Sequence, residues 1–472
     1  MRPVDSDRAR PQATTDLLAR YGGPGPRYTS YPTAPNWSDD WSSTDFGESL
    51  SDYGAKVEAG QELPLSLYVH IPFCEARCHF CGCNVVLDPR HQLDENYIEL
   101  LAREIGLVRQ HMARPGQLLQ VHLGGGTPTH LSPAQLDDLM QTIAEALEVD
   151  PDCEYSVEVD PAVTTPEQLE LLRARGFDRI SIGVQDLDPK VQEAVGRVFG
   201  VDELELFLER CRVEAFESIN FDLIYGLPHQ NVDSMRRTLE HVVRFRPDRL
   251  AVFQYAHVPW MKPHQNRMDA TALPDANTRR DLRELITKLL LGADYVEIGM
   301  DHFALPEDRL AIAQREGWLR RNFMGYAALP PTRVLGIGLS SISELDSAYS
   351  QNLTALPRYR KALMDGQLPV QRGCSLNAED RLRREVIMGI MTRFELDTAA
   401  VAERFQIDFR SHFRRELALL APMVQDGLVH WDANRLVVDA PGREFVRRIA
   451  MLFDESLAQG VARGTQRFSE TV

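Results

Sequence analysis

The stretch LSLYVHIPFCEARCHFCGCNVV, residues 65–86, decides how the rest of the chain is read. Its first seven residues alternate, with Leu65, Leu67, Val69 and Ile71 on one face and Tyr68 and His70 on the other, which is the period of a β-strand. Directly after it come Cys74, Cys78, Cys81 and Cys83, four of only seven cysteines in 472 residues. A strand that delivers a loop packed with thiols suggests a metal-binding turn at its end, set against a chance cluster of free thiols.

The remaining cysteines, Cys153, Cys211 and Cys374, are scattered and the total is odd, so a disulfide framework is not expected and a reduced, cytoplasmic setting is. No apolar run approaches the roughly 18 residues of a membrane span, and the N-terminus lacks the apolar block of a secretion signal. A formal charge of -17 without any long Lys/Arg run argues against nucleic acid as a partner. With 43% hydrophobic and 26% charged residues, the composition is that of a globular chain of two or three domains.

From about residue 62 to 256, the runs "LSLYVHI", "LQVHLG", "EYSVEV", "RISIGV", "SINFDLI" and "RLAVFQY" alternate with amphipathic stretches such as "ENYIELLAREIGLVRQHM" and "SPAQLDDLMQTIAEAL". Repeated strand and helix units imply a parallel α/β sheet. Six units rather than eight predict an incomplete (β/α)6 TIM-like barrel that opens sideways, with a doubly wound open sheet as the alternative. Residues 1–60 read as an irregular N-terminal arm whose aromatics, Tyr21, Tyr28, Tyr31, Trp37 and Trp41, must pack on something. Residues 61–370 read as the catalytic partial barrel, with 257–370 extending its edge. Residues 371–472 read as a mostly helical, winged-helix-like domain, with helices at 377–394, 397–405 and 410–426 and two strands around an Asp-Ala-Asn turn; it is expected to act as a lid or cap.

Thiolates mainly build iron-sulfur and zinc sites. A structural zinc would take a second pair of ligands from elsewhere, and no second CxxC or HxxxH is present. Three thiolates on one loop suit a cubane cluster that leaves one iron open. Only one residue separates Cys83 from Cys81, so Cys83 is read as a site residue rather than a ligand. In a parallel α/β fold the C-terminal strand ends form the functional face. Here those ends carry Tyr68, His70, the run Gly124, Gly125, Gly126, Thr127, then Glu158, Gln185, Asp222 and Ala256.

The order Cys74, Cys78, Cys81 resembles the CxxxCxxC signature of radical S-adenosylmethionine enzymes. The segments "PRYTSYPTA", "YVHIPFCEARCHFCGCN", "GGGTPT", "EVDP", "GVQD", "DLIYGLP", "YAHVP", "GMDHFA" and "GIGLSSIS" occur in an order that resembles the oxygen-independent coproporphyrinogen III oxidase family over nearly the whole chain. The resemblance implies oxidative decarboxylation of two propionates of coproporphyrinogen III to vinyls in haem biosynthesis, through a 5'-deoxyadenosyl radical. It implies a 4Fe-4S cluster on Cys74, Cys78 and Cys81 and S-adenosylmethionine contacted by Tyr68, Phe80, Gly125, Glu158 and Ile342. A second S-adenosylmethionine would meet Gly126, Thr127, Gln185, Arg197, Asp222 and Ala256, and Tyr68, His70 and Cys83 are the candidate catalytic residues. Expected partners are the tetrapyrrole and a donor such as flavodoxin or ferredoxin, with the chain acting as a monomer. Against the family's usual pattern the chain has Gly196 and Phe199 flanking the Arg197 segment, Gln254, and Met324, Ala327 and Ala328 in "NFMGYAA". These departures touch the expected second cofactor and substrate, so a radical enzyme acting on another tetrapyrrole, a methyltransferase, or a haem-binding or haem-transfer protein are the alternative readings.

Overall fold

The computed structural model describes residues 15–93 and 96–458, so the first 14 residues of the expected arm lie outside the described residues. Two compact units emerge where three segments were expected. One comprises residues 38–315 and 329–375, and the other joins 316–328 to the chain up to Trp37 and from Leu376 onward.

In the larger unit, strands β1 (Leu65–Ile71), β2 (Leu118–Gly125), β3 (Val149–Val159), β4 (Arg179–Gln185), β5 (Ser218–Tyr225) and β6 (Arg249–Gln254) pair in sequence order, all parallel. The six expected strands are joined by a seventh. The segment "RVLGIG", expected only to extend an edge, forms β7 (Arg333–Gly338) and pairs in parallel with β1. Antiparallel strands continue the sheet beyond both ends: Val296–Ile298 and His302–Ala304 on the β6 side, and Ile342–Glu344, Ala348–Asn352 and Val370–Ser375 on the β7 side. The two end strands do not meet, so the sheet is the open partial barrel expected.

The apolar face of β1 is sealed, Leu65, Leu67, Val69 and Ile71 each being fully buried, while Tyr68 and His70 take the opposite face. Residues at paired positions share a face, which sets polar rows across the lumen. Tyr68 pairs with His122 and His122 with Ser156; Glu158 pairs with Ser181 and Ser181 with Asn220; Gly183 pairs with Asp222, Asp222 with Ala251 and Ala251 with His302.

The expectation of an irregular arm over residues 1–60 is corrected here. Thr15–Tyr21 is helical, and Ser43–Glu58 forms a 16-residue helix α1 that belongs to the barrel unit. A reciprocal cap starts α1: the Ser42 hydroxyl accepts from Asp45 N–H and the Asp45 carboxylate accepts from Ser42 N–H. Its buried stripe, Phe46, Gly47, Leu50, Tyr53 and Gly54, has only three large apolar residues and two glycines, too thin a signal to stand out in the sequence. A Cβ at Gly54 would come within 1.9 Å of the Met112 carbonyl oxygen, so α1 lies against the helix α2 (Tyr97–Met112) at backbone distance. Ser42→Ala should lower stability by about 1 kcal/mol in urea unfolding without changing the cysteine loop.

In the smaller unit, helices Ala378–Arg393, Thr398–Phe405, Phe409–His412 and Arg414–Gln425 accompany a three-stranded antiparallel sheet ordered Glu395–Asp397, Arg435–Val438, Val429–Asp432. This is the winged-helix plan, with a third strand the sequence did not announce. The arm aromatics up to Trp37 find their packing here. Tyr28 and Tyr31 are buried, Tyr28 donates to Asp454 at 2.9 Å, Tyr21 donates to Asp426 at 2.6 Å, and Trp37 meets Phe323 edge-on. Trp41 belongs instead to the barrel unit, where its indole N–H donates to Ser350. Met324, Ala327 and Ala328 lie in and just beyond a hairpin of the smaller unit, built from Arg320–Asn322 and Gly325–Ala327.

Candidate active site

The cysteine loop leaves β1 through Phe73 and Cys74, which pair in parallel with Val86 and Leu87, so the loop is pinched at its base. Each of the three thiols in the CxxxCxxC order has a hydrogen-bonding partner at its sulfur. The Thr127 hydroxyl lies 3.4 Å from Cys74 Sγ, Arg197 Nη1 lies 3.8 Å from Cys78 Sγ, and Cys83 N–H points at Cys81 Sγ from 3.4 Å. Arg197 is itself anchored on the Gly183 carbonyl at 2.9 Å and on Asp160 at 2.9 Å. Burial pushes the Cys74 thiol up to about 11 and raises Cys78 despite the Arg197 charge. Cys81 moves the other way, because the Cys83 thiol donates toward it and Lys262 and Arg77 add positive charge nearby. Cys83 is driven up correspondingly, so in this pair Cys83 keeps the proton.

Beside the loop, the β1 and β2 ends form a polar cradle. His70 Nε2 lies 3.0 Å from the Asn84 carbonyl, an acceptor only, so that nitrogen carries the hydrogen and Nδ1 accepts from the Tyr68 hydroxyl at 3.0 Å. Burial lowers the His70 pKa, which keeps this neutral tautomer. Tyr68 stacks on His122 with centroids 5.8 Å apart, and its own hydroxyl is held protonated by burial and by the Glu158 charge.

Glu158 is the anion of the cradle. Burial would raise its pKa, but bonds from His122 Nε2 at 3.3 Å and Gly125 N–H at 3.0 Å outweigh that and hold it below the ordinary value. Gly125 has φ +120°, and a Cβ there would come within 2.7 Å of the His70 ring. A Cβ at Gly126 would strike the Pro72 and Phe73 carbonyls at 2.7 Å, so the β2 end crosses directly over the root of the cysteine loop.

Further along the lumen, Asp222 accepts from Asn220 at 2.9 Å and Ser181 at 3.3 Å, and burial plus the Glu158 charge pushes its carboxyl up to about 6. A raised carboxyl pKa contributes stability that is fully present below the unfolded value near 4 and lost as pH climbs through about 6. Asp222→Asn should therefore match the parent near pH 4 and exceed it by about 2–3 kcal/mol at pH 7.5 in urea unfolding of the cofactor-free chain.

The structure brings Tyr68, His70, Gly125 and Glu158 into one connected group, with Cys83 electrostatically coupled to it. Cys74, Thr127, Cys78 and Arg197 form a second group that shares the loop. Ile342 lies over Gly336, the β7 partner of Tyr68, where a Cβ would meet the Ile342 carbonyl at 2.5 Å. Gln185, at φ +65°, shares with Arg197 the space that the missing Gly183 side chain leaves. Phe80 does not join the cradle; it packs against Val191, Val195, Leu227 and Met268. Ala256 contributes its carbonyl, which accepts from Gln265 at 3.2 Å.

Sequence reasoning missed His122, Ser156, Asn84 and Gln265. The polar alternation Gln120, His122 in "LQVHLG" was the available signal for His122, and register to Tyr68 gives it meaning. Asn84 acts through its main-chain carbonyl and Gln265 from the short 3-10 helix Pro263–Arg267, so neither had a periodic signature.

Among the described residues no three His, Cys, Asp or Glu side chains are drawn into ready metal-binding geometry. The donor set nonetheless fits an iron-sulfur cluster: three soft ligands on one short loop, each sulfur already facing a hydrogen-bond donor of the kind that tunes cluster potentials. No helix among the described residues is long and apolar enough to cross a membrane.

Residues 68–242 match the Radical SAM superfamily and residues 376–445 match the HemN C-terminal domain. The oxygen-independent coproporphyrinogen III oxidase of Pseudomonas aeruginosa is 42% identical over 459 residues, covering 97% of this chain and 98% of that protein. The enzyme of the same name from Escherichia coli K12 is 40% identical over 456 residues, covering 97% and 98%. The solved structure of coproporphyrinogen III oxidase (HemN) from Escherichia coli, described as a radical SAM enzyme, superposes with TM-score 0.88 at 38% identity, over 95% of this chain and 99% of that one. With identity of this order over almost every residue, and with the cysteine loop opening on the lumen face of β1, the chain belongs to the oxygen-independent coproporphyrinogen III oxidase family of radical S-adenosylmethionine enzymes.

Proposed function

We propose that the chain converts coproporphyrinogen III to protoporphyrinogen IX in haem biosynthesis without oxygen. Each of two propionates loses a hydrogen atom from its β-carbon, then one electron and carbon dioxide, leaving a vinyl group. When bound, a 4Fe-4S cluster and S-adenosylmethionine supply the one-electron chemistry and the hydrogen-abstracting group. The observation that carries this reading is the junction of three donor-facing thiols, Cys74, Cys78 and Cys81, with the anionic Glu158 cradle at the same strand ends.

Within that reading Cys74, Cys78 and Cys81 hold the iron, Glu158, Gly125, Tyr68 and Ile342 hold the first S-adenosylmethionine, and Phe80, packed against Val191, Val195, Leu227 and Met268, shields the cysteine loop from outside the cradle. The Glu158 carboxylate suits an ammonium group and the Gly125 backbone lets a ligand approach closely. Gly126, Thr127, Gln185, Arg197, Asp222 and Ala256 would line a second S-adenosylmethionine. Tyr68 keeps its proton and orients His70, so it adds no negative charge where the cofactor sits. The electron comes from a small carrier such as flavodoxin or ferredoxin, and the enzyme works as a monomer in the cytoplasm.

Anaerobic incubation of reconstituted protein with coproporphyrinogen III, S-adenosylmethionine and a reductant tests the reading by mass analysis of the porphyrinogen. Loss of two carboxyl groups is the expected result. Formation of 5'-deoxyadenosine with the porphyrinogen untouched would overturn the substrate, and stoichiometric haem binding without any cofactor cleavage would overturn the enzyme.

A further inference from the structure

The cysteine loop has few backbone bonds of its own. Between Cys74 and Val86 it contains no regular element, and the Cys81 N–H to Cys78 carbonyl contact at 3.3 Å is a single turn. Its shape is held mostly from outside: Asn84 is held by His70 and by the Thr354 carbonyl, and two further segments grip the cysteine-bearing part. On one side, the end of the short helix Pro189–Val195 receives the loop: His79 N–H donates to the Val195 carbonyl at 2.8 Å, and His79 Nδ1 lies 3.2 Å from the Ala194 carbonyl. On the other, the segment that follows β6 turns back and meets three successive parts of the loop. Gln265 donates to the Phe80 carbonyl at 3.3 Å, His264 Nε2 to the Cys81 carbonyl at 2.8 Å, and Lys262 to the Cys83 carbonyl at 3.4 Å.

Gln265 is the member that does more than grip. It is 2% exposed, and its carboxamide is fully used: Oε1 accepts from Val258 N–H at 2.6 Å, while Nε2 donates both to Phe80 and, at 3.2 Å, to the Ala256 carbonyl. The orientation is forced, since the amide oxygen must face the N–H and the amide nitrogen must face two carbonyls. Only a carboxamide of this length satisfies all three groups. A glutamate would present oxygen to two carbonyls, and a methionine would leave all three unpaired.

We propose that Gln265 is a positioning residue whose single amide fixes the Phe80–Cys81 turn relative to the Ala256 strand end, so that the third cluster ligand and the second S-adenosylmethionine site are set together. The inference rests on the functional reading above, which assigns Cys81 to the cluster and Ala256 to the second cofactor. Binding at the Ala256 end then stiffens the turn that carries Cys81, and an intact cluster preorganises the Ala256 end in return.

The test compares reconstituted parent, Gln265→Met and Gln265→Glu proteins under anaerobic conditions, with the thermal midpoint measured first to establish that each variant is folded. Three quantities are read: iron and sulfide per chain, S-adenosylmethionine bound per chain by equilibrium dialysis, and the electron paramagnetic resonance of the reduced cluster with and without S-adenosylmethionine. The expected result is that Gln265→Met retains its iron, shows an altered cluster spectrum, and binds the second S-adenosylmethionine about tenfold more weakly, with Gln265→Glu weaker still. Should Gln265→Glu not fold, the methionine variant and His264→Phe, which removes only the Cys81 carbonyl contact and should alter the spectrum but spare the second site, carry the test. Folded Gln265 variants whose spectrum or second-site affinity equals the parent's would overturn the proposal, because the two are then not set together. A parent that binds neither cluster nor two S-adenosylmethionine molecules would overturn the underlying functional reading instead.

Discussion

Cys78→Ala protein is expected to fold, to hold no stable four-iron cluster, and to form 5'-deoxyadenosine at less than about one-thousandth of the parent rate, since a cubane left with two protein ligands loses most of its anchoring. The position is informative because Cys78 has two independent supports. Its sulfur faces Arg197, and the residue after it is pinned to the helix end at Val195. Removing one sulfur therefore leaves the loop in place, and the loss is one of chemistry rather than of folding. Iron and sulfide analysis separates the two, together with far-ultraviolet circular dichroism. The matching control is Cys211→Ala. Cys211 is completely buried on the helix Val201–Val213, away from the cysteine loop, so this change should lower stability by about 1–2 kcal/mol and leave iron content and cofactor cleavage untouched. Retention of a full cluster by Cys78→Ala would remove the basis of the ligand assignment.

The second large effect is expected from Gly125→Ala. At φ +120° an alanine is strained by about 1–3 kcal/mol, and its methyl group would stand 2.7 Å from the His70 ring. That ring cannot turn aside, because Tyr68 holds one nitrogen and the Asn84 carbonyl the other. The substitution must then shift the β2 end, and with it the Gly125 N–H that holds Glu158. Stability should fall by about 2–4 kcal/mol, and S-adenosylmethionine affinity by about 100-fold, the equivalent of one charge-assisted hydrogen bond. Urea unfolding and anaerobic equilibrium dialysis read the two effects separately. Gly106→Ala is the control: its Cβ would meet nothing within 4 Å on helix α2, so it should be neutral or stabilise by about 0.5–1 kcal/mol. A Gly125→Ala protein that binds S-adenosylmethionine as the parent does would show that the cradle is not the cofactor site.

Much of the site could be read from residues alone because its parts are local. The Cys74, Cys78, Cys81 spacing lies in one loop, and Tyr68, His70 and Glu158 announce themselves by alternation on strands. The parts that escaped are those defined by two distant segments. His122 is one polar residue in a strand until the register sets it beside Tyr68 and within reach of Glu158. Gln265 is one glutamine in a five-residue 3-10 helix until the chain turns back on Phe80. The helix α1 was hidden because its apolar stripe is short and glycine-bearing, and its order comes from the Ser42 and Asp45 cap and from close packing on α2.

By itself the sequence determined the strand and helix alternation, the thiol loop, the arrangement of three small helices with a hairpin, and the family, because periodicity, spacing and residue type are properties of neighbouring positions. Tertiary structure alone decided that "RVLGIG" is a seventh parallel strand beside β1, that the arm up to Trp37 packs with the C-terminal helices, and that the protons of Tyr68, His70 and Cys83 sit where they do. Strand pairing and proton position depend on what burial and long-range hydrogen bonds place against a residue, and no short window of sequence contains that partner.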